Sequence, residues 1–204
     1  GHGLGAAPGL IILKDRDSAY NWQVYHSIFA GTSNSIVLNS TGTVDTGSGG
    51  VWNSTAPTST VFSIGTSVGV NTSGNDYVAY CFAPVAGYSA FGSYTGAANL
   101  FIYTGFKPQW LMLKSYAGDG FNWVIIDDAR GADSSNVSNK LYPNLSVAED
   151  GDARGTETKV VFLSNGFLFL DSGAETNSST RSYIYGAFAS HPLKTSRGGF
   201  QNIP

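Results

Sequence analysis

The chain has 204 residues, 42% of them hydrophobic, which is enough to bury a real core as one large domain or two small ones. Only 12% are Asp, Glu, Lys or Arg, about half the usual share of roughly 25%, and a formal net charge of −3 with scattered basic residues leaves no electrostatic footprint for nucleic acid or an anionic membrane. No apolar run approaches the ~18 residues that span a bilayer, the N-terminal Gly1-His2-Gly3-Leu4-Gly5 lacks the pattern of a signal peptide, and the lone Cys81 rules out an internal disulfide framework.

In chain order, Leu10 to Leu13 is a short apolar run bounded by Pro8-Gly9 and by Lys14-Asp15-Arg16-Asp17-Ser18, a buried strand followed by a turn. Trp22 to Ile28 carries its large side chains mainly at alternate positions and predicts a half-buried strand forming a hairpin with the first. Ser35 to Asn39 is a third strand. The stretch 46–60 is rich in Gly, Ser, Thr and Pro and reads as a long surface loop with Trp52 alone in its middle. Val61 to Gly65 and Ser67 to Val70 are further strand candidates, and the apolar run Tyr77 to Phe82 predicts a strand buried on both faces, with Cys81 as a buried structural thiol.

The same text then recurs. Pro8-Gly9-Leu10-Ile11-Ile12-Leu13-Lys14 is answered by Pro108-Gln109-Trp110-Leu111-Met112-Leu113-Lys114 at an offset of 100 (114 − 14), and Asn21-Trp22 by Asn122-Trp123 at 101 (122 − 21). Val160 to Leu163 and Phe167 to Leu170 form a hairpin around Asn165-Gly166, and Tyr183 to Ala189 answers Tyr77 to Ala83 at 106 (183 − 77). Tyr88 to Gly96 and Leu100 to Phe106 fill the join with strands, and helix is confined to short turns near Asp127 to Arg130 and Leu145 to Asp150. The expectation is an all-β protein, an antiparallel β-sandwich of jelly-roll-like kind built from two repeated halves. It comprises one domain over 1–204, with halves of about 1–96 and 97–195 and a tail over 196–204.

Constellations for chemistry are weak. His2, His26 and His191 lie far apart with no ligand-spaced partner, so neither a zinc site nor a catalytic triad is expected, and His26 and His191 read as surface or interface residues. Asp127 and Asp128 are adjacent on a strand and point to opposite faces, so they read as turn and charge-pair residues rather than as a glycosidase pair. Glu149, Asp150 and Asp152 concentrate oxygen in one loop, a weak calcium candidate whose spacing does not match an EF-hand, and a solvated acidic turn is the simpler reading. No cofactor and no enzymatic activity are expected.

Trp22 and Trp123, at equivalent places, read as core. Trp52 has no equivalent, and three readings stay open for it: stacking on a sugar ring, a subunit interface, or core packing from a folded-back loop. The candidate ligand or interface positions are Trp52, Asn53, Asn75, Asp76, Glu175 and Asn177.

A family resemblance rests on four stretches: Gly3 to Pro8 leading into Ile-Ile-Leu-Lys; Asn75 to Ala83 followed by Gly87-Tyr88-Ser89; Tyr103 to Pro108; and Asn122-Trp123 with Asp127 to Arg130. Leu141-Tyr142, Asn144 to Ser146 and Ser164 to Phe167 extend it over nearly the whole chain. The sequence resembles a domain of virion structural proteins of tailed bacteriophages, similar to tail fibre, spike or capsid-associated chains of marine phages and cyanophages. That resemblance implies a place on the virion, outside the cell, with other virion proteins and a host-surface glycan or protein as partners. It supplies no catalytic residues. A homotrimeric tail fibre or spike module displaying loops is the leading expectation, a capsid decoration or assembly protein the second, and a carbohydrate-active enzyme domain the third.

Overall fold

The computed structural model describes residues 1–47, 49–130, 139–149, 158–191, 193–194 and 200–201. Within them the chain is almost entirely antiparallel β-structure, as the alternating and apolar runs predict, and it divides into two compact units, Gly1–Pro84 and Val85–Pro204. The strand Ser89–Thr95 hydrogen-bonds to Ser182–Phe188 and so belongs to the second unit.

In the first unit four strands, β1 (Leu10–Asp15), β2 (Gln23–His26), β3 (Ile36–Val37) and β4 (Tyr77–Phe82), form one sheet in the order β3-β2-β1-β4. Its inner face carries Ile11, Leu13 and Tyr25, and these close on Val51, Trp52 and Val70 to make a core. Val51 and Trp52 lie on a one-turn helix, α1 (Gly49–Trp52), and Val70 on another, α2 (Val68–Asn71). Two expectations fail here. The stretch 67–70 is helical rather than a strand, with the Asn71 side chain donating to Gly65 O (2.9 Å) and Thr72 Oγ1 to Val68 O (2.8 Å), and 61–65 joins no ladder. β4 is not buried on both faces either: it is the last strand of its sheet, Ala79 and Tyr80 are exposed and Cys81 is half-buried, because β1 covers one side of it only.

The second unit is a sandwich of two sheets. One runs β5-β11-β7-β8, from β5 (Ser89–Thr95), β7 (Trp110–Ala117), β8 (Val124–Asp127) and β11 (Ser182–Phe188). The other runs β6-β10-β9, from β6 (Phe101–Tyr103), β9 (Val160–Leu163) and β10 (Gly166–Phe169). A short pair, β12 (Leu193–Lys194) with β13 (Phe200–Gln201), follows. Leu111, Leu113, Val124, Ile126, Tyr183, Tyr185 and Ala187 from the first sheet interdigitate with Val160, Phe162, Phe167 and Phe169 from the second in one buried cluster, as inward-facing alternation requires. Gly166 lets the second sheet close: a Cβ there would lie 2.1 Å from the Ile102 carbonyl oxygen.

Strand order and register recur between the units. β1 pairs β2 and β4, and β7 pairs β8 and β11. Ile11 stands opposite Tyr25 and Cys81, while Leu111 stands opposite Ile126 and Ala187, at the sequence offsets 100, 101 and 106 (111 − 11, 126 − 25, 187 − 81). The Asn-Trp pair has the same task in both. Trp22 N–H donates to Asn39 Oδ1 (3.0 Å) and the Asn39 amide to Asn21 Oδ1 (3.0 Å). Trp123 N–H donates to Asn144 Oδ1 (3.0 Å) and the Asn144 amide to Asn122 Oδ1 (2.8 Å). Each bracket ties the entry of a strand to a later loop. Trp123 is buried as expected, and Trp22 is half-buried.

Candidate functional site

Trp52 is 3% exposed, with its ring edge-on to Tyr25 (5.8 Å between centroids) and to Phe62 (6.4 Å). It is core, and the sugar-stacking and interface readings are overturned: the described residues of the first unit form one sheet, and the loop folds back onto the inner face of that sheet. The indole Nε1 has no hydrogen-bond partner, an uncommon state for a buried donor. Its neighbour Asn53 is exposed in a left-handed conformation (φ 53°), as is Ser54 (φ 47°).

Asn75 is an internal bracket. Its amide donates to Asp15 Oδ2 (2.8 Å) and Ser18 Oγ (3.0 Å), while Asp15 Oδ1 accepts from the N–H groups of Asp17 (2.9 Å) and Ser18 (3.0 Å). Burial pushes the Asp15 carboxyl up, but the hydrogen bonds from Asn75 and from the Asp17 and Ser18 N–H groups outweigh it and hold its pKa below the ordinary value. Asp76 is exposed at the end of this bracket, its N–H donating to Asp17.

Glu175 and Asn177 come together in one loop of the second unit, and both are buried. Glu175 Oε2 accepts from Lys140 Nζ (3.3 Å) and from the Tyr142 hydroxyl (3.0 Å), and Oε1 accepts from the Asn122 amide (3.1 Å). Lys140 is fully buried and also lies 5.8 Å from the centre of the Tyr142 ring. The Asn177 amide donates to Ala97 O (2.7 Å) and Asp171 O (2.6 Å), and its oxygen accepts from Ala97 N–H (3.0 Å). These two residues hold the loop down on the sandwich, so the expectation that they face a ligand is overturned. An acidic loop position looks solvent-facing in a sequence until its buried cation is known.

Glu149 faces Arg130 (3.0 Å) and Asn139 (2.7 Å), and Asp150 and Asp152 lie outside the described residues. Among the described residues no group of three His, Cys, Asp or Glu side chains is arranged to hold a metal ion. Asp127 pairs with Arg130 across the short turn Asp128–Arg130, in keeping with a turn and charge-pair role. His26 is 1% exposed rather than on the surface, because the turn Ser27–Phe29 folds back and lets its Nδ1 accept from Ile28 N–H (3.4 Å). His191 is exposed.

Lys14 and Lys114, the lysines of the recurring motif, both curl back onto carbonyl oxygens: Lys14 onto Ser18 (2.8 Å) and Asp15, Lys114 onto Phe121. Lys114 is fully buried, and burial pushes its pKa from the ordinary 10.5 down to about 8. Between those values the unfolded chain binds a proton that the folded one has released, so this group adds stability as pH rises through that window and is indifferent to pH below it. The half-buried Cys81 thiol, pushed up by burial, and Tyr25, pushed up to about 12, act in the opposite sense above their own ordinary values. Comparison with Lys114→Met isolates the lysine. Urea midpoints measured from about pH 8 to about pH 9 should rise for the parent relative to the variant; parallel curves would contradict a buried Lys114.

Of the candidate positions Asn53 and Asp76 remain exposed, and beside them stand aromatics that the sequence reading missed. Tyr103 is 67%, Tyr80 49% and Phe101 41% exposed. They sit in strand-like apolar runs, and nothing in those runs distinguishes an outward ring from an inward one. No curated protein and no solved structure matches the chain. Residues 1–192 match the family described as Domain of unknown function (DUF7483), and the chain belongs to that family.

Proposed function

We propose that the chain is a virion structural module of a tailed bacteriophage, a tail fibre or spike domain that acts as a homotrimer and displays loops to a host-surface glycan or protein. The observation that carries this reading is how the loops are held. Asn39, Asn75, Asn144 and Asn177 each spend their amide on a neighbouring loop or strand, so the loops that carry Asp76 and its neighbours are fixed before any partner arrives. Pre-ordered loops bind without paying for their own immobilisation, which suits weak polar ligands such as glycans. The low charge and the phage resemblance of the sequence support the same reading, and the recurrence of register supports two halves descended from one unit. Glycan-array binding or host-cell adsorption by the purified protein is the expected result; blank outcomes in both would sink the idea.

A capsid decoration or assembly role is the second reading, favoured by Phe101 and Tyr103, which are exposed on the end strand β6 where a neighbouring subunit would cover them. Electron microscopy of labelled virions separates the two, because tail tips and capsid faces are distinct places. New reducing ends on incubation with host envelope polysaccharide would instead support an enzyme.

A further inference from the structure

β4 and β11 hold the same place in their sheets, but only β11 is covered on both sides. In register, Leu13 faces Ala79 as Leu113 faces Tyr185, and Ile11 faces Cys81 as Leu111 faces Ala187. On its far side β11 pairs with β5 along its whole length, Gly92 opposite Tyr185 and Ala90 opposite Ala187. β4 ends its sheet. The direction of its free backbone groups follows from the ladder. Arg16 N–H donates to Asp76 O (2.9 Å), so Val78 and Tyr80 turn their N–H and C=O groups towards β1, and Ala79 and Cys81 turn theirs to the open edge. In the second unit Gly96 N–H donates to Arg181 O (3.1 Å) and Ala189 N–H to Tyr88 O (2.8 Å), which by the same alternation makes Tyr185 and Ala187 the residues that bond β5. The two edges present the same groups at equivalent positions.

The open edge is also shaped. Ala79 lies on the core side of the sheet with Leu13 yet is exposed, and a groove of about 510 Å³ runs along the strand, lined by Gly1, His2, Phe62 and Ala79 to Phe82. β4 carries no proline and no charged residue of the kind that blunts an exposed edge. In the second unit Gly92 is forced, since a Cβ there would meet the Tyr185 hydroxyl at 2.8 Å and its ring at 2.9 Å. Ala79 stands where Tyr185 stands, so that demand disappears and room is left beside Phe62.

We propose that the edge of β4 is a strand-accepting site. It takes an extended peptide segment of a partner protein, antiparallel to β4, in the place that β5 takes on β11, with a large apolar side chain seated over Ala79 against Phe62. Backbone ladder bonds to Ala79 and Cys81 supply the general affinity and the filled groove the selectivity. A second copy of β4 is a poorer occupant: Ala79 and Cys81 are too small to fill the groove of a facing copy, and Tyr77, the large side chain on that face, is held by Thr72 N–H and Val68 O. The site stands whether or not the chain belongs to a virion.

The test uses the 204-residue protein and two synthetic peptides: Ser-Ala-Phe-Gly-Ser-Tyr-Thr, the sequence of β5, and Ser-Ala-Phe-Leu-Ser-Tyr-Thr, with leucine at the glycine position. The leucine peptide should bind saturably, about ten-fold or more tighter than the glycine peptide, and slow hydrogen exchange at the Ala79 and Cys81 amides. Ala79→Tyr, a change at an exposed position, should reverse the preference in favour of the glycine peptide while thermal unfolding stays unchanged. Equal binding of the two peptides, no slowing at Ala79 and Cys81, or no reversal in the variant overturns the proposal. So does sedimentation showing that the protein alone dimerises with those amides already protected, which would make a second copy the occupant.

Discussion

Trp52→Ala is expected to destabilise the protein by about 3–5 kcal/mol, the range for emptying a buried aromatic site, and to do so through the first unit alone. The indole fills the space between Tyr25, Phe62, Val51 and the inner face of β1, and among the described residues of the first unit short helices rather than a second sheet line the cavity it would leave. Trp52→Phe should recover most of that loss. It keeps an aromatic ring against Tyr25 and discards the buried Nε1–H that has no acceptor, so part of the lost packing is offset by removing an unsatisfied donor. Chemical denaturation of the two variants reads both effects. A Trp52→Ala protein with unchanged midpoint but weakened partner binding would mean that the residue works at the surface.

Glu175→Ala should cost a similar amount, about 3–5 kcal/mol, for an electrostatic reason. The carboxylate receives Lys140 Nζ, the Tyr142 hydroxyl and the Asn122 amide, and Lys140 has no exposed surface. Removing the acid takes away the carboxylate 3.3 Å from an ammonium group deep in the second unit and leaves Asp171 as the nearby acid. The double variant Lys140→Met with Glu175→Leu should be much closer to the parent than Glu175→Ala, since apolar side chains of similar volume carry no desolvation cost. Equilibrium unfolding of Lys140→Met, Glu175→Leu and the double variant closes the cycle and gives the coupling directly. Additive losses would show that the pair is not coupled.

Both residues illustrate how far the sequence could be read. Trp52 stands among Gly, Ser and Thr, and Glu175 in a polar loop; local composition assigns such residues to the surface. Their burial depends on groups distant in the chain: Tyr25 and Phe62 for the tryptophan, Lys140 and Asn122 for the acid. The Asn-Trp pairs were visible as a recurring motif, but their task needed the acceptors Asn39 and Asn144, which the motif does not contain. Asp127 and Arg130 were legible as a turn with a charge pair because both partners lie within one turn of each other.

By itself the sequence determined the β class, most of the strands and the pairing of β1 with β2 and of β9 with β10, since alternation and apolar runs act within a few residues and hairpins join neighbours. Only the tertiary structure decided which strands lie inside a sheet and which end one. Tyr77-Val78-Ala79-Tyr80-Cys81-Phe82 and Tyr183-Ile184-Tyr185-Gly186-Ala187-Phe188 are closely similar texts with opposite fates, because β5 lies against the second and nothing in the described chain extends the first. Burial is a property of what comes to cover a strand, and for β4 and β11 the covering element lies elsewhere in the chain or outside it.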